Sequence, residues 1–238
     1  MGARGRTRSR RGRNWLRGVL GAVLLAALVS AGIGWWKLIH WMPSRSEYPV
    51  QGLIAGARDG QTDFRAFRTI GADFVYLEAT AGARGRDPAF GRNLEQAQAA
   101  GLRVGVIHRF DPCERAERQS ANFVTIVPRD SVHLPPAVEL DATARDCPNR
   151  VVDASVESEL MTFVNQIEAH VGKSVLLKIS PDFQKAYRIA GTLERDLWLE
   201  RDIRQPEYAG RPWRLWTANR FLRSEASAGA VRWVVVQP

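Results

Sequence analysis

The stretch "DFVYLEATAGARGRDPAFGRNLEQAQAAGLRVGVIHRF", residues 73–110, carries the pattern on which the fold turns. It opens with an apolar run of strand length, 73–79 (DFVYLEA). Asp87 and Pro88 then supply a capping side chain and a proline preset for a first helical turn. A helix-period segment over 88–100 stops at Gly101, where a left-handed cap is wanted. The next apolar run, 103–108 (RVGVIH), is a second strand. Strand, helix and strand in this order make a parallel unit with a right-handed crossover.

The same alternation continues outward. Strand-like runs lie at 50–55 (VQGLIA), 136–141 (PAVELD) and 174–179 (SVLLKI), and helix-period stretches at 63–70, 114–127, 154–170 and 181–191. Ser180-Pro181 repeats the helix start, and Gly71 and Gly172 follow helical stretches. Beyond 191 the helices stop, leaving strand-like runs at 196–200 (DLWLE), 213–217 (WRLWT) and 230–236 (AVRWVVV). Eight strands close a barrel with a filled interior. The expected fold class is α/β, a TIM-like barrel with five β/α units followed by three β-strands. A doubly wound open sheet is the alternative.

The net charge of +9 resembles a nucleic-acid signal until it is located. Residues 1–17 hold seven arginines and no acid, and taking seven from 34 leaves 27 basic residues against 25 acidic ones. The globular part is therefore nearly neutral, and no nucleic-acid partner is expected. Residues 18–36 then run without a charge, about the length of a membrane-crossing helix. Trp15, Trp35, Trp36 and Trp41 bracket the run as interfacial aromatics do. The expected organisation is a basic cytoplasmic tail (1–17), a transmembrane anchor (18–41), a polar linker (42–49) and a barrel domain (50–238). A cleaved signal segment, with Val29-Ser30-Ala31 as its small-residue site, is the rival reading. The Arg10-Arg11 pair is a weak twin-arginine signal. The positive-inside rule places the chain in the inner (cytoplasmic) membrane as a single pass. Its N-terminus is then inside, and the barrel lies on the periplasmic or extracytoplasmic side.

Candidate chemistry gathers at strand ends, where barrels of this kind keep their sites. In "LPPAVELD", 134–141, Glu139 and Asp141 flank one residue, so on a strand both face one way, about 6.6 Å apart. Two close carboxylates raise the pKa of one, as a general acid requires. A solvated strand end would look the same. Cys113 and Cys147 follow neighbouring strands, so their loops share one barrel end and a disulfide is expected. Four scattered histidines and two cysteines have no metal-ligand spacing, and no metal or organic cofactor is expected. Arg84 and Arg86 read as ordinary solvated loop charges, with contact to an anionic ligand as the alternative.

The chain resembles the family 25 glycoside hydrolases, lysozymes that cut peptidoglycan. Their "GIDVSxxQGxIDW" is similar to "GLIAGARDGQTDF" at 52–64. Their "FVYIKATEGxxxxDPxFxxNxxxAxxAGLxVGxYHFF" is similar to "FVYLEATAGARGRDPAFGRNLEQAQAAGLRVGVIHRF" at 74–110, and "LPPVLDLE" to "LPPAVELD" at 134–141. The resemblance covers about 50–236 and implies the same barrel and a muramidase acting on glycan strands. It also implies a groove of carboxylates that this chain lacks in part. Ile54 and Ala81 stand where acids are expected, and Arg232 stands at the late acid. Ile107 and Lys178 replace tyrosines, and Thr217 replaces a glutamine beside Trp216.

The strand 4 acids remain but exchanged, with Glu139 at the Asp position and Asp141 at that of the proton donor. Asp141 is one methylene short, a retreat of about an ångström that costs on the order of a hundredfold in rate. An inward Lys178 would ion-pair with Glu139 or Asp141. The expected site is Asp141 and Glu139 as acid and stabiliser. Trp216 is the candidate sugar-stacking residue, and His108, at the end of strand 3, is a second substrate-binding candidate or a structural residue. The expected partners are peptidoglycan glycan strands and the membrane. A catalytically inactive glycan-binding or partner-binding envelope protein is the alternative, and nothing in the residues identifies a protein partner.

Overall fold

The computed structural model describes residues 8–129 and 133–238; the first seven residues of the basic tail lie outside the described residues. The chain divides into two compact units, Met1–His40 and Trp41–Pro238.

The first unit is one helix, α1 (Arg8–Ile39). Its segment Trp15–Ile39 has a mean hydropathy of 2.0 and is long and apolar enough to cross a membrane. The helix starts well before the expected anchor, so part of the basic tail is helical too.

The second unit is built on eight strands: β1 (Gln51–Ala55), β2 (Phe74–Ala81), β3 (Arg103–Arg109), β4 (Ala137–Leu140), β5 (Leu176–Ile179), β6 (Asp196–Glu200), β7 (Leu215–Leu222) and β8 (Val231–Val236). Pairing of β1 with β2 and with β8 closes them into a barrel. A two-residue strand, Gly85–Arg86, hangs on β2 outside the circle. Five helices follow the first five strands: α2 (Phe64–Ile70), α3 (Phe90–Ala99), α4 (Ala116–Ile126), α5 (Asp153–Val171) and α6 (Pro181–Tyr187). The architecture of five β/α units and three closing strands is the expected one. One strand departs from the parallel expectation. β8 runs antiparallel to both β7 and β1, because the short connection after β7 folds back as a hairpin.

Strand alternation sorts the side chains into two cores. Ile54, Phe74, Tyr76, Ile107, Leu176, Trp198 and Val234 fill the barrel interior. Leu53, Val75, Val106, Val138, Leu177 and Leu199 face outward against the helices. Gly105 is needed where Tyr76 crosses the interior, since a Cβ there would lie 2.3 Å from its ring.

The last three strands have no helices, so their outward faces need another cover. The segment expected as a polar linker supplies it. With it goes Trp41, the last residue of the expected anchor, whose ring is tilted against Trp216 at 6.4 Å, while Tyr48 meets the same indole edge-on at 5.7 Å. Asn219 donates to the Trp41 carbonyl at 2.9 Å, and Gln51 to that of Pro43 at 3.0 Å. Trp41 therefore belongs with the barrel unit.

Candidate active site

The seven parallel strands bring their C-terminal ends to one mouth, where antiparallel β8 contributes its first residues. On five of these strands the next inward position beyond the apolar interior is charged, while β1 has Gly56 there and β7 has Thr217. Tyr76 is followed by Glu78, Ile107 by Arg109, Ala137 by Glu139, Leu176 by Lys178 and Trp198 by Glu200, each two residues on. On β8, Arg232 lies opposite Ile54. Around the mouth the signs alternate through Arg232, Glu78, Arg109, Glu139, Lys178 and Glu200.

The distances make this ring a network of ion pairs. Lys178 Nζ is 2.6 Å from Glu139 Oε1 and 3.1 Å from Glu200 Oε2. Arg109 Nε donates to Glu139 Oε2 at 3.2 Å and lies 3.5 Å from Asp141 Oδ2. Arg232 holds Glu78 at 2.6 Å and Asp59 at 2.9 Å, and Arg58 also clasps Glu78. Arg220 closes the far side, 2.7 Å from Asp202 and 3.8 Å from Glu200.

The electrostatics follow from these partners. Burial alone would raise the Glu139 carboxyl, but Lys178, then Arg109 and Arg232, pull it down to about 2. Burial likewise works against Glu78, and Arg58 with Arg232 holds it below the usual range. Lys178 is raised: its own burial opposes the charge, and Glu139 and Glu200 outweigh it. Asp141 behaves differently. Its carboxyl is raised, first by burial and then by the Glu139 charge, against the pull of Arg109 and Lys178. It is also the accessible member, with 44% of its side chain exposed against 8% for Glu139.

Of the expected site residues, Glu139 lies inside the mouth, as strand alternation requires. Asp141 sits one residue past the end of β4, on the more exposed rim, where Arg109 reaches it as well as Glu139. Trp216 is not at the mouth. It faces outward and is 2% exposed, and its indole N–H donates to the Arg201 carbonyl at 2.7 Å, leaving no free face for a sugar. His108 also points outward between inward Ile107 and Arg109, fully buried against Phe163 at 4.4 Å. Its ring nitrogens meet Thr80 Oγ1 at 2.8 Å and Gln119 Oε1 at 3.3 Å, and burial lowers its pKa to about 4. This enclosed imidazole bridges strand β2 and helix α4 and has no surface open to a ligand. Cys113 and Cys147 form a disulfide that ties the loops after β3 and β4. Glu78, Arg109 and Glu200 are mouth residues that no motif picked out.

Three hollows run across this rim. One of 430 Å³ is walled by Arg58, Glu78, Arg109 and Glu139. One of 520 Å³ shares Arg109 with it and also touches Ala142. The largest, 1030 Å³, begins at Asp141 and Ala142. Their shared walls make a groove with Arg109 and Asp141 near its middle.

Residues 56–227 match the family described as Glycosyl hydrolases family 25. The chain belongs to glycosyl hydrolase family 25. A solved family 25 glycosyl hydrolase from Bacillus anthracis is 25% identical, with a TM-score of 0.73 over 84% of this chain and 93% of that one. The bacterial lysozyme from Streptomyces coelicolor shares the fold at 18% identity and a TM-score of 0.71, over 79% of this chain and 92% of its own. Among curated proteins, the uncharacterized protein YegX of Escherichia coli K12 is 23% identical over 149 residues, 62% of this chain. That match spans about half of the relative's length, 53%. The family 25 barrel thus presents a groove whose centre is a ring of paired charges.

Proposed function

We propose that this chain is a membrane-tethered family 25 barrel that holds peptidoglycan glycan strands on the outer side of the cytoplasmic membrane and cleaves them poorly or not at all. One observation carries the reading: every carboxylate of the inward ring is already matched by a cation. A general acid must hold a proton near neutral pH, and Glu139, drawn to about 2, cannot. The positions at which the family resemblance implies further acids hold Ile54, Ala81 and Arg232. The groove has a polar, charged rim, which suits a polar glycan. Helix α1 supports the tether.

A second reading rests on Asp141. Its raised carboxyl, accessible at the rim, is the kind of group that protonates a glycosidic oxygen, with ionised Glu139 nearby to stabilise positive charge at the anomeric carbon. A muramidase of reduced rate would follow from the shorter side chain.

The test uses the detergent-solubilised chain with purified sacculi, following reducing ends and co-sedimentation together, with Glu139→Gln/Asp141→Asn as control. Co-sedimentation of parent and control without new ends is expected. Reducing ends from the parent alone would establish the second reading and sink the first. Neither signal would remove the glycan from both.

A further inference from the structure

The 1030 Å³ hollow is larger than the other two and leads away from the strand ends, between the loop after β4 and helix α6. Its walls carry Arg145, Arg150 and Lys185, all exposed, together with Asp153 and Asp182. Among the described residues none of the three cations has an ion-pair partner, in contrast to the saturated mouth beside them. The walls are also fixed in place. Cys147 is bonded to Cys113, and the Tyr187 hydroxyl accepts a hydrogen bond from the Ala144 N–H at 2.7 Å, so the cation-bearing loop is tied at two points. A preformed hollow with unspent charges of both signs suits a zwitterionic ligand better than a uniform polyanion, which Asp141, Asp153 and Asp182 would repel.

We propose that this hollow receives the peptide stem of a bound glycan strand, an inference that rests on the glycan reading above. A stem leaves the sugar through the lactyl group. It carries carboxylates and, where its third residue is a diamino acid, an ammonium group. Arg145, Arg150 and Lys185 face the carboxylates; Asp153 and Asp182 face the ammonium. The hollow starts at Asp141, so a sugar seated at the groove centre directs its stem there. The site thereby selects cell-wall glycan with its peptides attached over bare glycan of the same backbone.

The test compares binding of the detergent-solubilised full chain to intact sacculi and to sacculi stripped of stems by an amidase. Arg145→Ala/Arg150→Ala/Lys185→Ala is the variant, and its melting temperature, expected unchanged because all three side chains are exposed, reports folding. The parent is expected to bind intact sacculi about tenfold more tightly than stripped ones, the combined effect of three exposed ion pairs of ordinary strength. The variant loses that preference and keeps its binding to stripped glycan. Free stem tripeptide, a readout independent of the variant, competes for intact sacculi, and polyphosphate of equal charge does not. Equal binding of the parent to both sacculi overturns the stem site and leaves the glycan reading standing. Competition by polyphosphate as strong as by the tripeptide overturns it in favour of a general anion site. Failure to bind either preparation defeats the glycan reading itself.

Discussion

Replacing Lys178 by Met tests whether the charged mouth is a balanced device or a set of independent side chains. Lys178 is 5% exposed and is the nearest cation to Glu139, at 2.6 Å, and a partner of Glu200 at 3.1 Å. Its loss leaves Glu139 buried with Arg109 as its one direct ion-pair partner, at 3.2 Å and 39% exposed. Breaking a buried pair by removing one member costs about 3–5 kcal/mol, since the remaining charge stays desolvated. Proton linkage gives a separate figure. A carboxyl moved from 4.5 to about 2 contributes about 3 kcal/mol to stability at neutral pH.

The sign is fixed by the direction of the shift. A depressed carboxyl stabilises the fold fully above its unfolded value, and the contribution fades as pH falls from 4.5 toward 2. The variant is therefore expected to be about 3 kcal/mol less stable than the parent at pH 7 and only about 1 kcal/mol less stable at pH 3. Urea unfolding followed by tryptophan fluorescence at the two pH values measures both. Adding Glu139→Gln to the variant should recover most of the loss, because removing both charges leaves little unpaired. A deficit at pH 7 below about 1 kcal/mol, or one unchanged at pH 3, would refute the reasoning.

Three further perturbations address the frame. Gly105→Ala puts a methyl 2.3 Å from the buried Tyr76 ring, which is held by its hydroxyl donating to the Pro135 carbonyl at 3.0 Å; a loss of about 1–3 kcal/mol in urea unfolding is expected. Cys113→Ser/Cys147→Ser removes a cross-link between residues 34 apart and should cost about 4 kcal/mol, while thiol titration of the unreduced parent should find no reactive cysteine. A domain beginning at Tyr48 should be about 2 kcal/mol less stable than one beginning at Trp41, the order of magnitude for uncovering one large apolar surface. Equal midpoints for those two fragments would mean that Trp41 and Pro43 merely lie on the barrel.

The barrel was legible because its signals are local. Asp87-Pro88, Ser180-Pro181 and the glycines after the helices mark boundaries within a few residues, and their repetition yields the strand count. The cover over β6–β8 was not legible, because it depends on a contact between distant segments, Trp41 with Asn219 across 178 residues. The antiparallel turn of β8 was missed because the alternation of strands and helices, which implies parallel neighbours, had already ended where the hairpin begins. The segment 42–49 reads as polar because Ser44, Arg45, Ser46 and Glu47 dominate it, yet Pro43 and Tyr48 are the side chains that decide where it lies. Trp216 and His108 were misplaced by the same ambiguity. A residue near a strand end points into or out of a barrel according to a register that one strand alone does not reveal.

The charged ring had a signal that motif reading passes over. A single charge two positions beyond an inward apolar residue looks like a solvated strand end, and each of Glu78, Arg109, Glu139, Lys178 and Glu200 does so taken alone. Only the circular order of parallel neighbours shows that their signs alternate, so that opposite charges meet across adjacent strands. This arrangement has a consequence for function. Random loss of catalytic acids would leave cavities or unmatched cations at the mouth, and unmatched buried charge is costly. Here the two cations Lys178 and Arg232 are matched: Lys178 lies on Glu139 and Glu200, and Arg232 on Glu78 and Asp59. Such matching stabilises the ionised forms of the inward carboxylates. The charges without ion-pair partners among the described residues then lie outward, along the hollow beyond Asp141, and on the proposed glycan reading a wall polymer is gripped there without being brought against a protonated acid inside the barrel.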